Sequence, residues 1–224
     1  FRSLEEDDSG RFRVRRGTTL AGGAPVMPGS GLKGAIRARY EAITHSCLLF
    51  SPPKEVKSDA GDFAPCTANQ TPEEDVVLCP ACALFGMMSR RARVSVEDFV
   101  VAGETRVEVA KRQEQFGPQP DQLVSKGFLK GRKFAVGIFR TEPPMDPKLL
   151  AIEVLPRGTV LRGGLRVLNL TDAEVGGLVA ALGVEPESRL KVGGGKGVGG
   201  RMYDATLRRE VETGFGRARV TKVD

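Results

Sequence analysis

All four cysteines lie in one short stretch of the chain, at Cys47, Cys66, Cys79 and Cys82. Between them, residues 51–78 are rich in proline, glycine and acidic residues and show no clear strand or helix periodicity. The Cys79-Pro-Ala-Cys82 motif can place two thiolates on one metal ion. Four soft ligands in a loop-rich segment predict a structural, tetrahedral zinc site, whose binding energy would help this segment to fold.

The cysteine spacing also admits other interpretations. Two disulfides would require an oxidising compartment, and no targeting signal for one is visible. Free thiols are a second alternative. A thioredoxin-like redox pair is disfavoured because the Cys79-Pro-Ala-Cys82 motif is not expected to open a helix after a clear strand. His45, the only histidine, lies two residues before Cys47 and is either a replacement ligand or an ordinary surface residue.

The remaining sequence alternates between strand-like and helix-like patterns. Ser30 is a good helix N-cap, and a buried helical stripe is expected after it, formed by Leu32, Ala35, Ile36, Tyr40 and Ile43. A capping box at Thr171 and Glu174 opens a second helix, for which Gly183 is the expected C-cap. We expect strands at residues 11–15, 94–99, 106–109, 134–138 and 165–170. These patterns predict an α+β domain, with an insertion or long hairpin at residues 111–133.

The charge balance favours a polyanionic partner. The formal net charge is +6 and the pI is near 9.3, which attracts polyanions without separating RNA from DNA or acidic membranes. Tryptophan is absent and tyrosine occurs only twice, so base stacking on aromatic side chains should not dominate binding. Backbone amides and Lys or Arg contacts to phosphate are the expected mode.

Two glycine-rich segments suit such contacts. The helix that follows Ser30 has a glycine-rich start and carries Lys33 and Arg37 on one face, which predicts an anion site. Near the carboxyl end, residues 193–200 combine six glycines with Lys196. That loop is neither a Walker motif nor a dinucleotide-binding fingerprint, and it is either a nucleic-acid contact or a hairpin turn.

Several classes are disfavoured. A single histidine excludes a two-histidine ribonuclease mechanism within this chain alone, and no Ser-His-Asp or Cys-His arrangement stands out. The sequence contains no run of about 18 apolar residues and its first residues lack the apolar stretch of a signal peptide. We therefore expect a cytoplasmic protein with no membrane partner. The chain begins at Phe1 without a methionine, and we expect that residues upstream have been omitted.

Four segments together resemble a known family. The segment Pro28-Gly-Ser-Gly-Leu-Lys-Gly-Ala-Ile-Arg37 is similar to the Pro-Gly-Ser-Ser-Leu-Lys-Gly-x-x-Arg signature of the RAMP superfamily of CRISPR-associated proteins, with Gly31 in place of the usual second serine. Cys79-Pro-Ala-Cys-Ala-Leu-Phe-Gly86 resembles its Cys-x-x-Cys-x-Leu-Phe-Gly segment. Glu153-Val-Leu-Pro-Arg-Gly-Thr159 resembles its Glu-x-x-Pro-x-Gly-Thr element, and residues 193–200 its terminal glycine-rich loop. All four occur in the family's order.

Within this superfamily, the chain resembles the Cas-seven-type backbone subunits of type III effector complexes. The resemblance implies a single domain over residues 1–224 with a modified RRM-like (ferredoxin-like) core. It also implies a zinc-bearing lid inserted at about residues 45–90, which would hold the four cysteines with His45 as the competing ligand. A thumb hairpin would lie at residues 111–133. The implied partners are a guide RNA (crRNA), complementary target RNA, neighbouring copies or related RAMP subunits, and other type III effector subunits.

The resemblance also implies functional residues. Active members cut target RNA with a metal-dependent aspartate upstream of the signature; Asp8 matches best, with Asp7 as its neighbour and rival, and Mg²⁺ as the catalytic ion. The RNA-binding residues would be Ser30, Gly31, Lys33, Gly34, Arg37, Lys111, Arg112, Phe116, Gly194, Gly195 and Lys196. Three alternatives are a non-catalytic RNA-binding scaffold, a guide-processing endoribonuclease of the same superfamily, and a stand-alone zinc protein that binds nucleic acid.

Overall fold

The computed structural model describes the chain in several ranges, namely residues 14–15, 23–47, 66, 78–88, 90–113, 124–125, 128–129, 149–186, 188–193, 199–204, 209–214 and 216–223. The helices within them are α1 (Gly29–Ile43), α2 (Pro80–Phe85) and α3 (Asp172–Leu182). The strands are β1 (Val14–Arg15), β2 (Val26–Met27), β3 (Val94–Val96), β4 (Phe99–Val101), β5 (Glu108–Gln113), β6 (Val124–Ser125), β7 (Phe128–Leu129), β8 (Leu149–Val154), β9 (Leu161–Arg162), β10 (Leu165–Val167), β11 (Leu190–Lys191), β12 (Gly199–Asp204), β13 (Arg209–Gly214) and β14 (Arg217–Ala218).

The strands form mixed and antiparallel sheets. The largest has the order β1-β8-β5-β12-β13, in which β1 runs parallel to β8 and the other neighbours are antiparallel. A three-stranded antiparallel sheet has the order β2-β4-β9. Three two-stranded antiparallel pairs are β3 with β10, β11 with β14, and β6 with β7. The α+β class expected from the sequence is confirmed.

Helix α1 lies at the centre of the main core. Leu32, Ile36 and Tyr40 are buried along it, as the apolar spacing predicted, whereas Ile43 at its last position is 51% exposed. The Tyr40 ring meets Phe85 of α2 edge to face, with ring centroids 5.4 Å apart. The cluster is completed by residues from α2, α3, β3 and β11, namely Ala81, Leu84, Phe85, Val94, Leu178, Ala181 and Leu190. Burial of this cluster fixes both longer helices against the strands.

The start of α1 differs from the sequence expectation. Its N-cap is Pro28, and Ser30, predicted as the cap, instead lies in the first turn with no capping hydrogen bond. At the positive end of the helix, the Gly29 amide donates to the Asp98 carboxylate at 2.7 Å, although Asp98 lies 69 residues further along the sequence. The first amide of α1 is therefore already engaged by a carboxylate of the same chain.

Helix α3 begins and ends as predicted. The capping box is present, with the Thr171 hydroxyl and the Glu174 carboxylate each accepting from the other residue's amide, and Gly183 caps the other end in the left-handed conformation. Arg93 pairs with the Glu174 carboxylate. The hydrogen bond from Arg93, followed by that from the Thr171 amide, holds the pKa of Glu174 below its usual range.

Other strand predictions were met in part. The expected strand at 94–99 is two strands, β3 and β4, which pair with different partners. The strand expected at 106–109 begins at Glu108 and continues through Gln113, into the range predicted as the thumb insertion. The strand expected at 165–170 ends at Val167. Residues 11–13 and 134–138 lie outside the described ranges. Among the described helices, none is long and apolar enough to cross a membrane.

We predict that Gly29→Ala destabilises the fold. Gly29 is buried, and a Cβ there would overlap the carbonyl oxygens of Val96, the last residue of β3, and of Glu97 in the turn that follows. Because backbone atoms cannot give way cheaply, we expect the free energy of unfolding to fall by about 2 kcal/mol or more. Urea denaturation measures this change.

Gly34→Ala is the matched control, because a Cβ at Gly34 would meet no heavy atom of the described chain within 4 Å. Removing a glycine from a helix interior should raise stability by about 0.5–1 kcal/mol. Equal effects of the two substitutions would contradict the close approach at Gly29.

Candidate metal centre and nucleic-acid face

The four cysteines converge, as the sequence predicted. The sulfur atoms of Cys47, Cys66, Cys79 and Cys82 all lie within 4.8 Å of one another. The Sγ atoms of Cys47 and Cys82 are 3.5 Å apart, as are those of Cys47 and Cys79. These separations are far longer than a disulfide bond of about 2.05 Å, and all four cysteines are free. The disulfide interpretation is therefore not supported.

Local structure explains how two of the sulfurs come together. Cys79 is the N-cap of α2, Pro80 takes the first helical position, and the Cys82 amide donates to the Cys79 sulfur at 3.4 Å. The motif thus opens a helix of only six residues, and the segment that precedes residue 78 lies outside the described ranges. One residue before Cys82, the Ala81 amide donates to the buried Ser46 hydroxyl at 3.1 Å, which docks the segment after α1 onto the start of α2.

Burial and hydrogen bonding shift the pKa values of three of the thiols in different directions. Burial is the main cause that raises the pKa of Cys47 and of Cys82. Burial also acts to raise the pKa of Cys79, but hydrogen bonds from the amides of Cys47 and Cys82 outweigh it and bring that pKa down to about 7. Near neutral pH, Cys79 is thus better prepared to ligate than Cys47 or Cys82, from which a metal ion would displace protons.

The donor set fits zinc. Tetrahedral zinc with Zn–S bonds of about 2.3 Å requires sulfurs about 3.8 Å apart, which agrees with the 3.5 Å distances and the 4.8 Å limit of the cluster. Four thiolates complete such a site without a fifth protein ligand. His45 is exposed in the turn after α1 and is not part of the cluster found among the described residues. The cysteines can therefore hold a metal such as zinc without the histidine.

Arg37 connects α1 to this centre. Its side chain is only 14% exposed. Nε donates to the Glu41 carboxylate at 2.7 Å, Nη1 donates to the Gly86 carbonyl at 2.7 Å, and Nη2 lies 3.5 Å from the Cys82 sulfur in donor geometry. This guanidinium, predicted to face a phosphate, is engaged instead with the end of α2 and with a candidate metal ligand.

In contrast to Arg37, several residues in the first turns of α1 are exposed. Ser30, Gly31 and Gly34 are exposed there, beside the partly buried Lys33; we call these four residues the α1 glycine face. Burial, and then the nearby Arg37 charge, lower the pKa of Lys33. A Cβ at Gly31 or Gly34 would meet no heavy atom of the described chain within 4 Å. Both glycines leave the helix backbone open to close approach.

The other predicted site residues lie either in strand β5 or outside the described ranges. Lys111 and Arg112 belong to β5, where they pair with β8 and β12 in the five-stranded sheet. The hairpin strands β6 and β7 lie within the range predicted as the thumb. The remaining predicted residues fall outside the described ranges, namely Asp7, Asp8, Phe116, Gly194, Gly195 and Lys196.

Sequence reasoning missed two residues that support the site. Asp98 satisfies the start of α1. Arg93 donates to the Ala83 carbonyl near the end of α2 at 3.1 Å and to the Asn169 carbonyl at 2.7 Å. Neither carries a local signal, because their partners lie far away in the sequence. The capping box at Glu174 gave the only hint, since its carboxylate is the ion-pair partner of Arg93.

We predict that Cys82→Ser removes bound zinc and that His45→Ala does not. Losing a direct ligand should weaken zinc binding by more than the 10–100-fold typical of an outer contact, and thermal stability should fall with it. Metal analysis of the purified variants and a chelator titration measure both effects. Zinc retention should also fall as pH falls, because Cys47 and Cys82 must lose their protons to ligate. Loss of zinc in His45→Ala alone would contradict the four-cysteine assignment.

Comparison with known proteins gives the family. A family model described as the RAMP superfamily matches residues 10–200, a range that includes α1, the four cysteines and α3. A search of curated proteins finds no match. The family match supports a CRISPR-associated protein with an RNA-binding function. The chain belongs to the RAMP superfamily.

Proposed function

We propose that this chain is a guide-RNA-binding backbone subunit of a type III CRISPR effector complex, and that the α1 glycine face contacts the RNA. The assignment to a Cas-seven-type subunit rests on the four sequence motifs and their order. In this role, copies of the chain or related RAMP subunits would line up along the guide. Complementary target RNA and other type III subunits would complete the assembly.

The observation that carries the RNA contact is the pair of open glycines in α1. A glycine in a helix interior costs about 1 kcal/mol relative to alanine. Gly29 offsets such a cost by close packing, but Gly31 and Gly34 contact no described part of the chain that would require the absence of a side chain. Because they are three residues apart, they lie side by side on the helix. A phosphate backbone that approaches this surface closely would explain both.

Charge favours the same face. Lys33 lies within it, and the chain carries a formal net charge of +6, which attracts a polyanion. The partial burial that lowers the pKa of Lys33 would be opposed by a neighbouring phosphate, because an anion stabilises the charged ammonium. The Ser30 hydroxyl supplies a hydrogen-bond donor beside it. Phosphate contacts of this kind hold RNA without reading its sequence, as a guide-binding subunit requires.

Zinc at the four cysteines would be structural. With four protein ligands it offers no open position for catalysis. Its contribution would be to join α2 and the segment after α1 to the core, and so to support the helix that carries the RNA contact. Lys111, Arg112, Phe116 and the loop with Gly194, Gly195 and Lys196 remain proposed RNA contacts on the basis of the family resemblance.

We predict that Gly34→Ala weakens RNA binding while the protein itself becomes slightly more stable. The added methyl would hold the phosphate backbone away, and we expect a loss of about tenfold in affinity, or ~1.4 kcal/mol. Filter binding with single-stranded RNA measures it. Lys33→Gln should weaken binding similarly and reduce the dependence on salt.

Gly176→Ala is the matched control. Gly176 is also an open helical glycine, but it lies in α3, and a Cβ there would meet no heavy atom of the described chain within 4 Å. It should stabilise the protein without changing RNA affinity. If Gly34→Ala and Gly176→Ala bind RNA equally well, the α1 glycine face is not the contact.

The proposal includes cleavage of target RNA. Asp8 is the proposed catalytic carboxylate, with Asp7 as its neighbour, and it would help position Mg²⁺ or the 2′-hydroxyl nucleophile at the scissile phosphate. We predict that Asp8→Ala abolishes cutting by the assembled complex while guide binding persists. Gel analysis of labelled target RNA measures cutting, with Asp7→Ala as the comparison.

The result also separates the alternatives. Unchanged cutting in both aspartate variants, or none in the wild type with Mg²⁺, would favour a non-catalytic scaffold. Cleavage of precursor RNA by this chain alone in EDTA would favour a guide-processing endoribonuclease instead.

A further inference from the structure

The position of Arg37 links two parts of the molecule that the proposed function treats separately. It lies on α1, one turn after Lys33 and Gly34 of the α1 glycine face, while its guanidinium reaches the end of α2 and the sulfur of Cys82. Its side chain is largely withdrawn from solvent. A cation so placed is better suited to the cysteine cluster than to a phosphate.

We propose that Arg37 is a positioning residue that couples metal binding at the four cysteines to RNA binding at the α1 glycine face. The metal half of this inference rests on the geometry of Arg37 alone. The RNA half rests on the function proposed above.

The charge of the metal-bound cluster supplies the physical reason. A divalent cation held by four thiolates carries two net negative charges, and Cys47 and Cys82 are almost fully buried. Such a centre is costly in a protein interior unless positive charge and hydrogen-bond donors lie nearby. Nη2 of Arg37 supplies both to Cys82. Donation to a metal-bound thiolate stabilises it and orients it, as outer partners of metal ligands generally do.

The two other contacts of Arg37 fix the direction of this donation. Glu41, whose side chain is 4% exposed, accepts from Nε one turn further along the same helix. The Gly86 carbonyl, at the C-cap of α2, accepts from Nη1. A planar guanidinium satisfies these three acceptors together, whereas a lysine ammonium is a point charge on a flexible stem. The requirement is therefore for arginine and not only for positive charge.

Through these contacts of Arg37, binding or loss of a metal at the four cysteines should affect α1. With a metal bound, Cys82 is held in place and Arg37 joins α1 to both ends of α2. Without a metal, the sulfurs lose their common partner, and Arg37 loses a fixed acceptor one turn from Lys33 and Gly34. Metal binding should therefore raise RNA affinity. Because binding free energies are reciprocal, bound RNA should strengthen metal retention by the same factor.

The first experiment tests the metal half with the full chain loaded with Co²⁺. In Arg37→Lys we expect the thiolate-to-cobalt charge-transfer band to shift and metal release to a chelator to become about 10- to 100-fold faster. Glu41→Gln keeps an acceptor for Nε but removes a negative charge beside the cluster, so it should slow release. Gly176→Ala, a substitution in α3 that adds no clash with the described chain, should change neither the band nor the rate.

Opposite effects of Arg37→Lys and Glu41→Gln cannot come from general loss of folding. A wild-type band and release rate in Arg37→Lys would overturn the inference.

The second experiment tests the coupling with single-stranded RNA of mixed sequence. In the wild type, we expect saturating RNA to raise metal affinity, measured by equilibrium competition with a chelator, by the same factor by which metal removal lowers RNA affinity. In Arg37→Lys, both factors should approach one. Full coupling in Arg37→Lys, or unchanged RNA affinity of the metal-free wild type, would overturn the coupling. A metal-loaded wild type that does not bind RNA would overturn the proposed function and the RNA half, while the cobalt experiment would still decide the role of Arg37 at the metal.

Discussion

The core depends on how the short helix α2 is held. Six residues are too few for a helix to be stable alone, yet Ala81, Leu84 and Phe85 of α2 are buried in the centre of the core. At its start, Cys79 and Cys82 join the other two cysteines. Near its end, Arg37 and Arg93 donate to the carbonyls of Gly86 and Ala83. Four clustered cysteines that can hold a metal, together with two arginines, therefore fix the surface against which α1 packs.

Helix α1 uses its glycines for different purposes. Gly29 is buried and allows the turn between β3 and β4 to approach the helix, while Asp98 of that turn caps its amide. Gly31 and Gly34 are exposed and have no packing role among the described residues. The same short motif thus anchors the helix on one side and leaves its backbone open on the other. This division connects the packed core to a surface that a phosphate chain can approach.

The sequence predicted what local signals encode and failed where partners are distant. The capping box at Thr171, the buried stripe from Leu32 to Tyr40 and the cysteine cluster follow from spacing, and all are present. Ser30 was a wrong N-cap because the true partner of the helix start, Asp98, lies 69 residues from Gly29. Arg37 was predicted to contact phosphate because it shares a helix face with Lys33. Helical spacing cannot show that the Cys82 sulfur, 45 residues away in the sequence, lies beside its guanidinium. The roles of Asp7 and Asp8 remain predictions from the family motif.

Ultraviolet crosslinking shows whether RNA contacts the α1 glycine face. The chain would be purified with its native partners and the RNA that accompanies it, irradiated, digested and analysed by mass spectrometry. If RNA contacts this face, we expect nucleotide adducts on the peptide that covers residues 29–37, centred on Lys33, and their loss in Lys33→Gln. Abundant adducts elsewhere on the chain, with none on this peptide, would contradict a contact between RNA and the α1 glycine face.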